Sequence, residues 1–204
     1  FDPAMELTFT DGMLKIRAGS SIALEMKHPG IMIQQILADN RSPHFDGLPP
    51  FTGGFVGYFS YDYIKYAEPA LVLDAKDEEG FRDVDLMLFD KVIAFDNFRQ
   101  KVILIVNARC EDMETEYSRA EMELKNLKDL ILHGSSRQEI PGRMTSPIRE
   151  LFDRAAYCEM VAKAKEYIRE GDIFQVVLSN RLDADFEGSL LDTYRVLRTT
   201  NPSP

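Results

Sequence analysis

Residues Gly171 to Arg181 read G-D-I-F-Q-V-V-L-S-N-R. Tyr167 to Glu170, Y-I-R-E, precede them, and Tyr194 to Pro204, Y-R-V-L-R-T-T-N-P-S-P, close the chain. Glycine stops a helix because it takes up left-handed backbone without a Cβ clash. The apolar run Ile173–Leu178 then predicts a short buried strand. Leu190, Leu191, Tyr194 and Leu197 predict a second helix over 188–198, and Asn201-Pro202-Ser203-Pro204 ends it. Two prolines fix φ and remove two backbone donors, so this turn is stiff and its carbonyls stay free to accept. Ahead of the block, Asp153 suits a helix N-cap, and Tyr157, Val161, Ala164 and Ile168 form the stripe of that helix.

Gly134 to Glu150 is rich in glycine, serine and proline and shows no period. It predicts a boundary between two units. The expected organisation is an amino-terminal region over 1–140, a linker over 141–150 and a second region over 151–204. Upstream, Met113, Tyr117, Ala120, Leu124, Leu127 and Ile131 give one stripe of a helix over 113–133. Val102 to Val106 predicts a strand buried on both faces, paired through a turn at Asp96-Asn97 with one long strand carrying Leu86, Leu88, Val92 and Phe95. Glu6 to Arg17 predicts a hairpin about Asp11-Gly12, whose edges need cover. Pro29 opens a helix with Ile33, Ile36 and Leu37 on one face.

Leu48 to Tyr63 carries Gly53, Gly54 and Gly57. No Lys-Ser or Lys-Thr follows, so a phosphate cradle is rejected. A strand fits better, with its glycines marking close approach of another backbone. A helical turn is expected over 61–66. Asp74 to Glu79 is read as a solvated acidic loop.

The 204 residues carry 34 acidic and 24 basic side chains, a net charge of -10. That balance repels a phosphate backbone and argues against nucleic acid. There is no basic run for a membrane surface and no apolar stretch of spanning length. Cys110 and Cys158 have no metal-type spacing, and two thiols fit a reducing compartment, so a cytoplasmic setting is expected. Gln175, Ser179 and Arg181 would share one strand face. Spacing alone leaves three roles open for them: holding an oxygen-rich anion, linking strands, or facing solvent.

Three ordered blocks carry a resemblance: F-T-G-G-F-V-G-Y-F-S-Y-D at Phe51–Asp62, the Gly171–Arg181 run, and Y-R-V-L-R-T-T-N-P-S-P. Together they resemble the chorismate-utilising enzymes, in particular those of the anthranilate synthase component I type. Asn180 departs from that pattern, which more often has Gln or Arg there. The resemblance implies an α+β fold of orthogonally packed antiparallel sheets with helices outside, incomplete here because the chain is read as a fragment. It implies Mg²⁺-dependent conversion of chorismate to anthranilate, with ammonia from a glutamine amidotransferase partner and feedback inhibition by tryptophan. It places Asn201, Pro202, Ser203 and Pro204 in the inhibitor site. The Mg²⁺ ligands and catalytic groups it implies lie in a carboxy-terminal half, so no catalytic or metal residue is assigned here. His28, His44 and His133 match no catalytic motif. The chain alone is expected to be inactive. The alternatives are aminodeoxychorismate synthase, of folate synthesis, and a non-catalytic amino-acid-binding or interaction module.

Overall fold

Asp11 and Gly12 both take positive φ, 46° and 85°, as a two-residue hairpin turn requires. They join β1 (Met5–Thr10) to β2 (Met13–Ala18), with Thr10 opposite Met13. Gly19, at φ 73°, turns the chain again into β3 (Ser20–Glu25), an edge strand absent from the sequence reading. The computed structural model describes residues 1–68, 70–73, 77 and 79–202. Most of the expected acidic loop at 74–79 therefore lies outside the described residues.

The chain divides into two compact units, Phe1–Gly134 and Ser135–Pro204. In the first, β4 (Gly54–Phe59) and β5 (Val84–Phe89) complete a five-stranded antiparallel sheet in the order β3-β2-β1-β5-β4. Period two puts alternate side chains on one face. Leu14, Phe9 and Val84 form one cross-strand row, and Leu7 stands opposite Leu86. Helix α1 (Pro29–Asp39) lays Ile33 and Ile36 on that face and closes the core. The Tyr66 ring meets Phe9 edge-on at 4.9 Å between centroids. Tyr66 ends a 3₁₀ helix over Tyr61–Tyr66, as the sequence led us to expect.

Glycine in β4 has the expected cause. A Cβ on Gly57 would collide with the Asp85 carbonyl of the neighbouring strand. The long strand expected from Asp85 through Phe95 is broken. It splits at Asp90 into β5 and β6 (Lys91–Asp96), and β6 leaves the large sheet to pair with β7 (Lys101–Val106). Asn107 fixes the break: its amide and its side-chain Nδ2 both donate to the Asp90 carbonyl, at 2.8 and 3.0 Å. Nδ2 also donates to the Thr52 carbonyl at 2.8 Å, which ties the end of β7 to the start of β4.

β7 is not buried on both faces. Val102 is exposed and its neighbours are half-buried, because this hairpin packs only on helix α2 (Met113–His133). Asp112 caps α2, accepting from the Thr115 amide at 3.4 Å. The stripe of α2 is buried only in its middle. Leu127 is 2% exposed, whereas Met113, Tyr117 and Ile131 stand in solvent.

In the second unit, residues 141–150, expected as a linker, carry β8 (Arg143–Met144) and β9 (Arg149–Glu150). These pair with β11 (Phe186–Glu187) and β10 (Leu182–Asp183). The two ladders are parts of one interrupted antiparallel ribbon. Thr145 donates to the Asp185 carbonyl at 2.8 Å and Leu151 to the Arg181 carbonyl at 2.9 Å. Between them the Ser146 hydroxyl accepts from the Asp185 amide at 2.8 Å, in place of a backbone rung. Helix α3 (Arg154–Glu170) begins at Asp153, whose carboxylate accepts from the Ala156 amide at 2.9 Å, and ends at Gly171 with φ 84°. Helix α4 runs over Leu191–Thr200, later than the expected 188–198. The predicted strand Ile173–Leu178 forms no strand and pairs with none among the described residues. Among the described residues of this unit, no side chain reaches the buried class.

Candidate functional site

The stiff turn comes off the end of α4. Thr199 and Thr200 fold their hydroxyls back onto the Val196 carbonyl at 2.8 and 3.1 Å. Both hydroxyls thus share one carbonyl of the last helical turn. The Asn201 amide closes that turn on the Leu197 carbonyl at 2.9 Å, and both Asn201 and Pro202 are exposed. Ser203 and Pro204, the other two expected inhibitor-site residues, lie outside the described residues. Asn201 and Pro202 therefore sit together at a solvent-facing helix end.

Gln175 and Ser179 are exposed and bond no described side chain, while Arg181 is engaged by Asp183 at 3.1 Å. The residue that matters locally is Asn180. Its Oδ1 accepts from the Phe152 amide at 3.0 Å and its Nδ2 donates to the Phe152 carbonyl at 2.8 Å. One amide side chain thus stands in for a complete backbone pairing. Tyr157 adds a bond from its hydroxyl to the Leu178 carbonyl at 3.1 Å. The available signal was an amide closing an apolar run at the position that departs from the family pattern.

Arg149 and Asp185 form a two-bond pair at 3.2 and 3.0 Å. The pairing holds the Asp185 carboxyl below the usual carboxylate range and raises the Arg149 guanidinium. Both are exposed, so this pair fixes geometry and adds little stability.

The most perturbed cluster lies in the first unit. Asp83 is 4% exposed. Its Oδ2 accepts from the Tyr66 hydroxyl at 2.6 Å and the Asp11 amide at 3.1 Å, while Lys65 approaches Oδ1 at 3.0 Å. Burial pushes the Asp83 carboxyl up, but the bonds from Tyr66, Lys65 and the Asp11 amide together outweigh it and lower the carboxyl overall. Burial and the bond to Asp83 push Tyr66 up to about 12. For Lys65 burial pulls down, and the bonds to Asp83 and Asp11 prevail and raise it. Such perturbation is common at active sites. Here both carboxylate oxygens are already occupied, so the cluster clamps the β1–β2 turn to the 3₁₀ helix. Tyr66 also borders a cleft of about 330 Å³ with His28, Gly30, Gln34 and Tyr63.

His28 caps α1, His44 lies in the loop after it, and His133 ends α2. Among the described residues no group of three or more His, Cys, Asp or Glu could hold a metal ion. The described residues therefore do not fit a Mg²⁺ site. No helix among them is long and apolar enough to cross a membrane.

The sequence profile of the family described as chorismate binding enzyme matches residues 7–204. Anthranilate synthase component 1 of Acinetobacter calcoaceticus is 42% identical over 158 residues, 77% of this chain and 31% of that protein. The same-named protein of Lactococcus lactis subsp. lactis is 34% identical over 212 residues, 99% of this chain and 43% of its own length. The chain thus spans less than half the length of these curated relatives. The crystal structure of anthranilate synthase component I from Streptococcus pneumoniae TIGR4 superposes with a TM-score of 0.73 at 26% identity, covering 100% of this chain and 45% of that one.

Proposed function

The chain belongs to the chorismate binding enzyme family, and on that premise we propose that it forms part of an anthranilate synthase component I. The whole protein would convert chorismate and ammonia to anthranilate on the route to tryptophan. The observation that carries this reading is the likeness of the entire chain to the Streptococcus pneumoniae component I structure. The names of the relatives speak for anthranilate rather than aminodeoxychorismate as the product.

Within that enzyme this chain supplies framework and one wall of a regulatory pocket. The Asn201–Pro204 turn offers carbonyls that no proline N–H competes for, suited to the ammonium group or indole N–H of tryptophan. A glutamine amidotransferase partner delivers the ammonia. Mg²⁺ belongs to acidic ligands outside this chain, and no step is assigned to residues within it. The exposed Cys110 and Cys158 thiols support a cytoplasmic setting.

The test is an assay of this chain with chorismate, Mg²⁺ and ammonium, read by anthranilate fluorescence. No turnover is expected from the chain alone. Turnover is expected once it is joined to the carboxy-terminal remainder of a component I. A folded joined protein that leaves chorismate untouched overturns the reading. Calorimetry with tryptophan on that joined protein tests the regulatory role, and unchanged heat after Asn201→Ala removes it.

A further inference from the structure

The cleft of about 330 Å³ beside Tyr66 has an aromatic floor. The Tyr63 and Tyr66 rings lie 5.6 Å apart between centroids, inclined at 58°. Phe59 meets Tyr63 edge-on at 5.0 Å, and Phe9 meets Tyr66 from the core. The Tyr66 hydroxyl is tied to Asp83 at 2.6 Å, which fixes its ring in place. The floor is therefore formed before any ligand arrives, and a ligand need not order it. Ile31 and Ala67 complete the apolar lining, and Ile31 stands 72% exposed beside it.

Three polar side chains line the same cleft: the Tyr63 hydroxyl, the Gln34 amide and the His28 imidazole. None of them makes a hydrogen bond among the described residues, and His28 leaves α1 without a side-chain cap. Each of the three can donate. No acid is among the lining residues, and none lies in the first turn of α1, whose positive end adds to the preference for a negative group.

Gly30 keeps the middle of the cleft open. It takes no left-handed φ, and a Cβ built on it would meet only the Tyr63 hydroxyl, at 3.4 Å. That is an ordinary contact, and alanine would favour the helix. Neither backbone geometry nor packing requires glycine here. What a side chain would take away is space above the two tyrosines.

We propose that this cleft binds a small aromatic carboxylate, with its ring on Tyr63 and Tyr66 and its carboxylate accepting from Tyr63, Gln34 and His28. Ligand pockets begin at about 300 Å³, so the occupant is a molecule of one ring or two fused rings. An aromatic amino acid is a poorer match, because no acidic side chain lines the cleft to receive its ammonium group. The site rests on the first unit alone and does not depend on the component I reading.

Calorimetry of the 204-residue chain with benzoate, benzamide and tryptophan tests the proposal. Benzoate should bind at one site with a Kd of about 1 mM or tighter, and the other two at least about tenfold more weakly. Gln34→Glu places a like charge at the rim on an exposed position of α1. It should leave thermal melting unchanged, weaken benzoate at least about tenfold and leave benzamide as it was. Gly30→Ala should hold or raise the melting temperature and weaken benzoate at least about threefold. No benzoate binding up to about 10 mM overturns the proposal. So does tryptophan binding as tight as that of benzoate, or benzoate affinity indifferent to Gln34→Glu. Gln34→Glu decides the question even where Gly30→Ala lowers the melting temperature. Anthranilate formation plays no part in these measurements, so failure here leaves the component I reading standing.

Discussion

Replacing Asp83 by Asn keeps the shape of the clamp and removes its charge. Tyr66 can still donate to the amide oxygen, so that hydrogen bond survives in weaker form. Lys65 loses its closest partner at 3.0 Å and retains only Asp11, at 3.2 Å on the surface. Removing one partner of a fully buried pair costs about 3–5 kcal/mol. The Lys65 side chain is 29% exposed and can recover part of its hydration, which brings the expected loss to about 2 kcal/mol. The chain has no tryptophan, so far-UV circular dichroism during urea denaturation is the suitable probe. The sign with pH follows from the direction of the shift. The Asp83 carboxyl is lowered in the folded chain. Its contribution is therefore complete above the ordinary carboxylate range and is lost as pH falls through the folded value. The gap between native and Asp83→Asn chains should be widest near neutrality and close in acid. A gap that stays constant from neutral pH to the acid limit, or that is absent at neutrality, refutes the charge-clamp reasoning.

At the alkaline end, Tyr66 is raised to about 12 and Lys65 is also raised, so their contributions hold below their ordinary values and fade as pH climbs past them. Tyr66→Phe should soften that decline in an alkaline titration followed by circular dichroism. Phe9→Ala opens a cavity beside Leu14, Val84 and Tyr66 and should cost about 3–5 kcal/mol in urea denaturation. Gly57→Ala forces a Cβ onto the Asp85 carbonyl and should cost about 1–3 kcal/mol or detach β4, seen as fast amide exchange along 54–59. Asn180→Ala should speed exchange at the Phe152 amide while leaving that of Leu7 and Phe9 untouched, because the bonds it breaks are local to the second unit.

Local chemistry was readable from sequence wherever a residue acts through its own backbone or its own helix. Asp11-Gly12, the Asp153 cap, the Gly171 stop and the bounds of α2 all emerged that way. The misreadings share another cause. A continuous apolar run states that a segment is fit to be buried, and says nothing of what buries it. Val102 and, within Ile173–Leu178, Phe174, Val176 and Val177 are fit for the interior, yet all four stand exposed. The break at Asp90 was hidden for a related reason. Val92 stands in register with Leu86 and Leu88 across it, and the bonds that hold the chain at the change of sheet come from Asn107, distant in sequence. Residues 141–150 read as a linker from their glycine, serine and proline and their lack of a period, yet they carry the two-residue strands β8 and β9, with one rung supplied by a serine hydroxyl. For the candidate site, half of the expected turn, Ser203 and Pro204, lies outside the described residues, and the role of Asn180 is hidden in sequence because it depends on Phe152.

Thr52, Gly53, Asp90 and Asn107 meet through a single side-chain amide. A Cβ on Gly53 would come within 2.7 Å of the Asn107 Nδ2 and 2.9 Å of the Phe89 carbonyl. These positions are thus mutually conditional. A lineage that loses Asn107 loses the bonds that confine Gly53 on one side, and a lineage that enlarges Gly53 can no longer keep Asn107 where it is. Because Gly53 also sits at φ 145°, where any side chain is strained whatever the space, sequence drift at this corner should keep the glycine. Chimeras that exchange the glycine-rich strand without the end of β7 should fold worse than either parent, even when every residue in them is native to some relative.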